Sequence, residues 1–223
     1  EDEARQSAAA LVLEPSLPGG ALKTSRKGCG AFVLHVDGVP AHAGIEPEKG
    51  ANAIHELARQ ILALQALEDR DRGTTLNVDI IRGGSRTNVV AAEAEAVVDV
   101  RVAAMAEAER VAEALAGLRA HDPRTRLRVS GGVDRPPFER TPSVVALLRL
   151  AQGVAAELGH ELGEGGTGGG SDGNLTAALG VPTLDGLGAV GGGAHAVDEY
   201  VSVADLPWRA ALVAGLLRRV LAV

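Results

Sequence analysis

The sequence predicts an α/β protein in which a βαββαβ module, residues 27–133, is inserted into a second unit made of residues 1–26 and 134–223. Between Phe32 and Val129 the apolar spacing switches between a period of two and one of 3.6, in the order strand, helix, strand, strand, helix, strand. After Arg135-Pro136-Pro137 the pattern breaks, a new helical stripe begins, and glycines crowd into two clusters. The composition supports a folded protein. The chain has 223 residues, 46% apolar and 23% charged, enough for a sizeable core and far from the composition of disordered chains.

Each element follows from a local pattern. Glu1, Asp2 and Glu3 read as the solvated start of a helix. Ser7 to Leu13 is a short continuous apolar run, expected to be a buried strand whose C-terminal edge presents Glu14, where ligands of open α/β sheets bind. A loop rich in Pro, Gly and Ser follows. Phe32, Leu34 and Val36 then alternate with Val33, His35 and Asp37 as in a half-buried strand. From Gly50 onward, Ile54, Leu57, Ala58, Ile61 and Leu62 form the stripe of an amphipathic helix. Leu76, Val78 and Ile80 predict one strand and Ala96, Val98, Val100 and Val102 the next, with RGGSRTN between them. An Ala-rich helix from Met105 to about Ala120 and a short strand at Leu127 and Val129 complete a ferredoxin-like module. In the second unit, Val144, Leu147, Leu148, Leu150 and Ala151 open one helix and LPWRAALVAGLLRRVLAV forms the last. One short strand is too little sheet for two long helices and two glycine loops, so chain preceding Glu1 is expected to be missing.

Composition also excludes functions. Twenty-two Lys and Arg against 29 Asp and Glu give a net charge of -7, and only 2% of residues are aromatic, so a nucleic-acid partner is not expected. Cys29 is the sole cysteine, so any metal must be held by His and carboxylates. No run approaches the ~20 apolar residues that span a bilayer, and the acidic start is unlike a signal peptide. A cytoplasmic protein without membrane partners is the expectation.

The segment GTGGGSDGN admits three readings. Gly168, Gly170 and Gly173 spell the dinucleotide fingerprint, but no apolar strand leads into it. Gly169, Ser171 and Gly173 spell a nucleophile elbow, with Asp185 and His195 following in the order of a serine-hydrolase triad, again without the expected strand. In the third reading the glycines form a backbone platform beside a metal and substrate. Glu14, at a strand edge, and His195, in the small-residue run GGGAHA, suit zinc. His42, in AHAG, is similarly uncovered.

The strings LVLEPS, TSRKGCGAFVLHVDGVPAHAGIEPEKGANAIHELA, GGSRTNVV, VDVRV, DRPPFERT, TGGGSDGN and GGGAHAVDEYV together carry a resemblance over essentially the whole chain. In order and spacing they resemble the zinc-dependent peptidases and deacylases that include glutamate carboxypeptidases of the carboxypeptidase G type, acetylornithine deacetylase and succinyl-diaminopimelate desuccinylase. The resemblance implies a two-zinc catalytic domain carrying an inserted lid that forms a homodimer. It implies that Glu14 binds one zinc and His195 the other. His42 would reach the partner subunit's site and stabilise the tetrahedral oxyanion. Asn88 and Arg101 would lie near the substrate, Arg135 would bind its free carboxylate, and Gly169, Gly170 and Ser171 would line its pocket. The implied substrates are peptides or N-acyl amino acids, cleaved by metal-assisted amide hydrolysis to release a glutamate-like residue. The family's H-x-D motif, bridging Asp and Glu-Glu pair have no counterpart before Glu14. The chain therefore reads as the C-terminal portion of such an enzyme, with two metal ligands and no activity alone. The competing readings are a non-catalytic dimerisation module or decayed gene product, and a serine hydrolase using Ser171.

Overall fold

The computed structural model describes residues 1–222. In chain order its elements are α1 (Asp2–Arg5), β1 (Ala10–Leu11), β2 (Leu22–Arg26), β3 (Gly28–Asp37), α2 (Ala53–Gln65), β4 (Thr75–Gly83), β5 (Glu93–Val102) and α3 (Met105–Ala116). There follow β6 (Arg126–Arg135), α4 (Pro142–Glu157), β7 (Glu164–Thr167), α5 (Gly173–Ala178), β8 (Thr183–Leu184), β9 (Gly191–Gly192), β10 (Tyr200–Val201) and α6 (Leu206–Val220). The chain divides into an inner unit, Cys29–Asp134, and an outer unit, Glu1–Gly28 with the chain from Arg135 onward. The α/β class expected from the sequence is the class observed.

The inner unit runs β3-α2-β4-β5-α3-β6, and its sheet has the order β4-β5-β3-β6. Alternation builds its core. Phe32, Leu34 and Val36 of β3 and Ala94 through Val102 at every second position of β5 are buried with Leu57, Leu64, Val111 and Leu115 of the two helices. Asn52 starts α2, its Oδ1 accepting from the backbone N–H groups of Ile54 and His55 at 2.9 and 3.2 Å. The helix is turned relative to its apolar stripe, for it buries Glu56 and Gln60 and leaves Ile54, Ala58 and Leu62 exposed. The Glu56 carboxylate accepts from the N–H groups of His121 and Asp122 and from the Gln60 amide, so its burial is satisfied. Strand β6 is far longer than the two apolar residues suggested, and β3 and β6 approach so closely that a Cβ at Gly30 would meet the Gly132 carbonyl at 2.0 Å. Helix α3 stops at Ala116, capped by Gly117, short of the expected Ala120.

The outer unit holds more sheet than its sequence suggested. The expected strand Ser7–Leu13 shrinks to Ala10–Leu11, half-buried, which pairs in parallel with β8. Two strands lie where loop was expected. β2 pairs in parallel with β7, whose sequence EGGT carries no apolar side chain at all. Its glycines serve close approach: a Cβ at Gly165 would meet Leu17 at 2.8 Å, and one at Gly166 the Ser25 hydroxyl at 2.5 Å. Leu22, Leu147, Leu148, Val154, Leu184, Leu187, Leu212 and Leu216 form the core beneath α4 and α6. Helix α6 ends at Val220, and Val223 lies outside the described residues.

Candidate functional site

Strands β1 and β8 run in parallel, Ala10 beside Thr183 and Leu11 beside Leu184, so the chain leaves both at the same edge. Glu14 follows the first and Asp185 the second. Glu14 is exposed, with its carbonyl accepting from the Gly188 N–H at 2.9 Å. Asp185 is wholly buried, and Arg26 grips it with Nε donating to Oδ2 at 2.7 Å and Nη2 donating to Oδ1 at 2.9 Å. The remaining arm of Arg26, Nη1, donates to the Gly169 carbonyl at 2.9 Å. One buried guanidinium thus ties the β8 exit to the glycine loop.

That loop is held from its other end too. Ser171 is 5% exposed, its Oγ donates to Asp185 Oδ2 at 2.6 Å, and it accepts from the Gly173 N–H at 3.1 Å. Buried Asn174 accepts from the Ser171 N–H and donates to the carbonyls of Lys27 and Pro136. These contacts overturn the triad reading. In a Ser-His-Asp arrangement an imidazole takes the serine proton and the carboxylate orients that imidazole. Here the carboxylate accepts the serine hydrogen bond directly and is paired with an arginine. The dinucleotide and elbow readings both require a strand leading into the glycines. β7 is such a strand, although it is glycine-rich rather than apolar, and the six-residue α5 that follows is short.

Arg209 shapes the same edge from below. It is buried and donates Nε to the Gly188 carbonyl at 2.9 Å, Nη1 to the Gly20 carbonyl at 2.8 Å and Nη2 to the Gly186 carbonyl, with its guanidinium 4.9 Å from the Trp208 ring. Lys23, on β2, is 8% exposed and exchanges backbone hydrogen bonds with Asp185. Burial, together with the nearby Arg26 guanidinium, holds its ammonium below the usual lysine range, against the opposing pull of Asp185 and Glu14.

The remaining outer-unit candidates lie on loops. His195, between β9 and β10, is exposed and has a φ of 66°, the only positive φ of a non-glycine residue among those described. Arg135 is half-exposed, with Nη1 3.6 Å from the exposed Asp172 carboxylate, too long for a hydrogen bond. Gly169 is exposed and Gly170 half-buried. In the inner unit, His42 and Asn88 are exposed on neighbouring loops joined by the Ala43 N–H donating to the Asn88 carbonyl at 2.9 Å, and the His42 Nδ1 accepts from the Gly44 N–H. Arg101 is not free on its sheet face. It holds Asp99 through Nε and Nη2 at 2.8 and 2.9 Å. Among the described residues, no group of three or more His, Cys, Asp or Glu is arranged to hold a metal ion. No described helix is long and apolar enough to cross a membrane.

Residues 24–125 match the M20 peptidase dimerisation domain. Carboxypeptidase G2 of Pseudomonas sp. (strain RS-16) is 29% identical over 223 residues, 97% of this chain and 54% of that protein. The succinyl-diaminopimelate desuccinylase of Xanthomonas euvesicatoria is 34% identical over 91% of this chain and 54% of its own length. The crystal structure of aminopeptidase PepT from Bacillus cereus superposes with a TM-score of 0.78 at 25% identity, covering 97% of this chain and 59% of that one. Residues 24–125 of this chain are an M20 peptidase dimerisation domain. A Bacillus subtilis M20 member described as a dinuclear metal binding peptidase has the same fold at 19% identity, with a TM-score of 0.66 over 92% of this chain and 55% of that one. The chain spans about half the length of the curated relatives it matches.

Sequence reasoning singled out neither Lys23, Arg26 nor Asn174. The charges of ALKTSR carry no signal that they are buried, because the partners of Arg26, Gly169 and Asp185, lie 143 and 159 residues away.

Proposed function

We propose that this chain is the lid-bearing portion of an M20 hydrolase that cleaves amide bonds of peptides or N-acyl amino acids and releases a glutamate-like residue. The similarity to carboxypeptidase G2 over 97% of the chain carries the reading. Glu14 and His195 are assigned as zinc ligands, one on each of two metals, and both are exposed on loops of the outer unit. The chain's own donors do not make a zinc site, since stable sites normally use three or four protein ligands and no such group is present among the described residues. The 223-residue chain alone is accordingly assigned no hydrolytic activity.

In this reading Arg135 receives the substrate's free carboxylate. Its guanidinium is only loosely engaged by Asp172, so a planar fork is available for a bidentate carboxylate. Gly169 and Gly170 admit the substrate backbone, while Ser171 acts from behind by fixing the loop to Asp185. His42 and Asn88, on joined loops, serve the site of the partner subunit, where the imidazole donates to the developing oxyanion. Arg101 orients the lid face through Asp99 and approaches substrate with its remaining Nη1. The homodimer forms through the inner unit, the part that matches a dimerisation domain.

The test is hydrolysis of N-acetyl-glutamate and N-benzoyl-glutamate with added zinc. The purified chain is expected to be inactive, and a longer protein that adds the missing half of the relatives' length is expected to show chelator-sensitive turnover that falls on Arg135→Met. Robust turnover by the 223-residue chain, or none by the longer protein, overturns the reading.

A further inference from the structure

We propose that a cavity on the open face of the inner sheet binds a small primary ammonium, held between the His35 imidazole and the Glu95 carboxylate. The inference goes beyond the hydrolytic reading and does not rest on it, since every residue it uses belongs to the inner unit. The cavity has a volume of about 510 Å³ and is lined by His35, Arg82, Ser85, Glu93 and Glu95. That is the size of a small-molecule site.

Three strands build it. Leu34 and Val36 of β3 and Ala94 and Ala96 of β5 face the core, so His35, Glu93 and Glu95 share the opposite face of the sheet. Arg82 of β4 stands directly across from Glu95 in the strand register. Both neighbours of the Glu95 carboxylate stop short of it. Oε1 is 3.8 Å from Arg82 Nη1 and Oε2 is 3.9 Å from His35 Nδ1, close enough to attract but too far to hydrogen-bond.

The far side of the imidazole decides what enters that gap. Arg128 grips both oxygens of Asp37 and holds its carboxyl below the usual carboxylate range. An ionised carboxylate can only accept, so the 3.0 Å contact between His35 Nε2 and Asp37 Oδ1 is a donated Nε2–H. In the neutral ring Nδ1 is then a lone pair, and it faces a second acceptor, Glu95 Oε2. Two acceptors 3.9 Å apart cannot satisfy each other. A group with two hydrogens to give, at the usual ~2.8–2.9 Å from each, reaches both at once.

Charge selects which donor. Glu93 and Glu95 face Arg82 alone, while Asp37 and Arg128 cancel, so the lining is net negative and favours a cation. A divalent metal is not the occupant the geometry suits, since among the described residues no group of three or more such ligands is arranged to hold one. A quaternary ammonium has the charge but no hydrogen to donate. A primary amine has both, and in an amino acid or short peptide its carboxylate finds Arg82 and Ser85 on the same cavity wall.

The experiment uses the intact chain labelled with 15N at about pH 8, above the ordinary histidine value, and follows the ring nitrogens of His35. The ligand-free ring is expected to carry its proton on Nε2. Ethylammonium and diglycine are each expected to shift Nδ1 saturably at millimolar concentrations, with tetramethylammonium weaker by about tenfold or more and N-acetyl-diglycine, its amine blocked, giving no shift. Glu95→Gln is expected to weaken ethylammonium binding by about tenfold, and Glu93→Gln by a few-fold. A proton on Nδ1 in the ligand-free chain, an equal response to tetramethylammonium, or equal binding by the Glu95 variant overturns the assignment. The tautomer and the wild-type titrations decide even if a variant does not fold.

Discussion

Arg26 and Asp185, 159 residues apart, form a fully buried two-point ion pair, with Nε to Oδ2 at 2.7 Å and Nη2 to Oδ1 at 2.9 Å. Two of the contacts that fix the glycine loop pass through it, since the same guanidinium holds Gly169 and the same carboxylate holds Ser171. Removing one member leaves an uncompensated buried charge, which costs about 3–5 kcal/mol, while replacing both by apolar groups is far milder. Arg26→Met is therefore expected to destabilise the outer unit by that amount, and the pair Arg26→Met with Asp185→Leu by much less. Trp208, the sole tryptophan, packs on the outer core and reports its urea unfolding by fluorescence. Single-variant losses below about 1 kcal/mol would show that the pair is not structural.

Acid should loosen the inner unit before the neutral fold is otherwise stressed. Burial pushes Glu56 up, but hydrogen bonds from the His121 N–H, the Gln60 amide, the Asp122 N–H and the His121 ring outweigh it and bring its pKa to about 2. Glu107 is brought to about 2 by hydrogen bonds from Arg110 first and Thr74 second. Both values lie below the ordinary 4.5, so both groups contribute stability that is full above pH 4.5 and lost as pH falls through the folded value of about 2. Amide hydrogen exchange in β5 is expected to accelerate between pH 4.5 and 2, and Glu56→Gln is expected to flatten part of that dependence. At neutral pH the same substitution costs about 1–3 kcal/mol, because an amide nitrogen then faces buried N–H donors. Exchange in β5 that does not change over this range would contradict the argument.

The inner unit was legible because its strands alternate: Ala94 to Val102 announces both a strand and its buried face. The face of α2 was misjudged because propensity cannot reveal that Glu56 finds two backbone N–H groups in the turn at His121, a contact 65 residues away. The outer sheet was mostly illegible for a different reason. Parallel strands are usually apolar runs, whereas β7 is EGGT and fits because Leu17 and Ser25 occupy the space above Gly165 and Gly166. At the candidate site, local sequence context marked Glu14, His42 and His195 and the family resemblance added Arg135, all of which lie on loops or at a strand end. The buried charges of β2, Lys23 and Arg26, had no local pattern to mark them.

Zinc should bind this chain weakly. Two exposed donors, Glu14 and His195, fall short of the three that zinc normally requires from protein. Dialysis after loading is expected to leave well under one zinc per chain. Near-stoichiometric retention that disappears in His195→Ala would mean that another ligand completes the site.

The chain should dimerise through β4 rather than β6, the two edges of the inner sheet. An edge is guarded against pairing by charges and bulges. Both edges carry charge, Arg126, Arg128 and Asp134 on β6 and Asp79 and Arg82 on β4, and β4 shifts register between Val78 and Ile80, so exposed apolar surface decides between them. Strand β4 exposes Ile80 and Ile81, the latter at 59%, and its end packs against Ile54 of α2, which also leaves Leu62 exposed at 65%. The turn of α2 that buries Glu56 and Gln60 is what leaves these apolar residues outside, so the interface and the polar core of the helix are two consequences of one rotation. Joining two β4 edges extends the sheet across a two-fold axis and covers the apolar strip on both copies. Light scattering of the intact chain at tens of micromolar is expected to give a dimer. Ile81→Lys and Leu62→Glu should each shift it toward monomer, while Ser130→Lys on β6 should not. A monomer at that concentration, or a dimer broken by the β6 substitution and not by the β4 one, would reassign the interface and remove the reason for sending His42 to a partner's site.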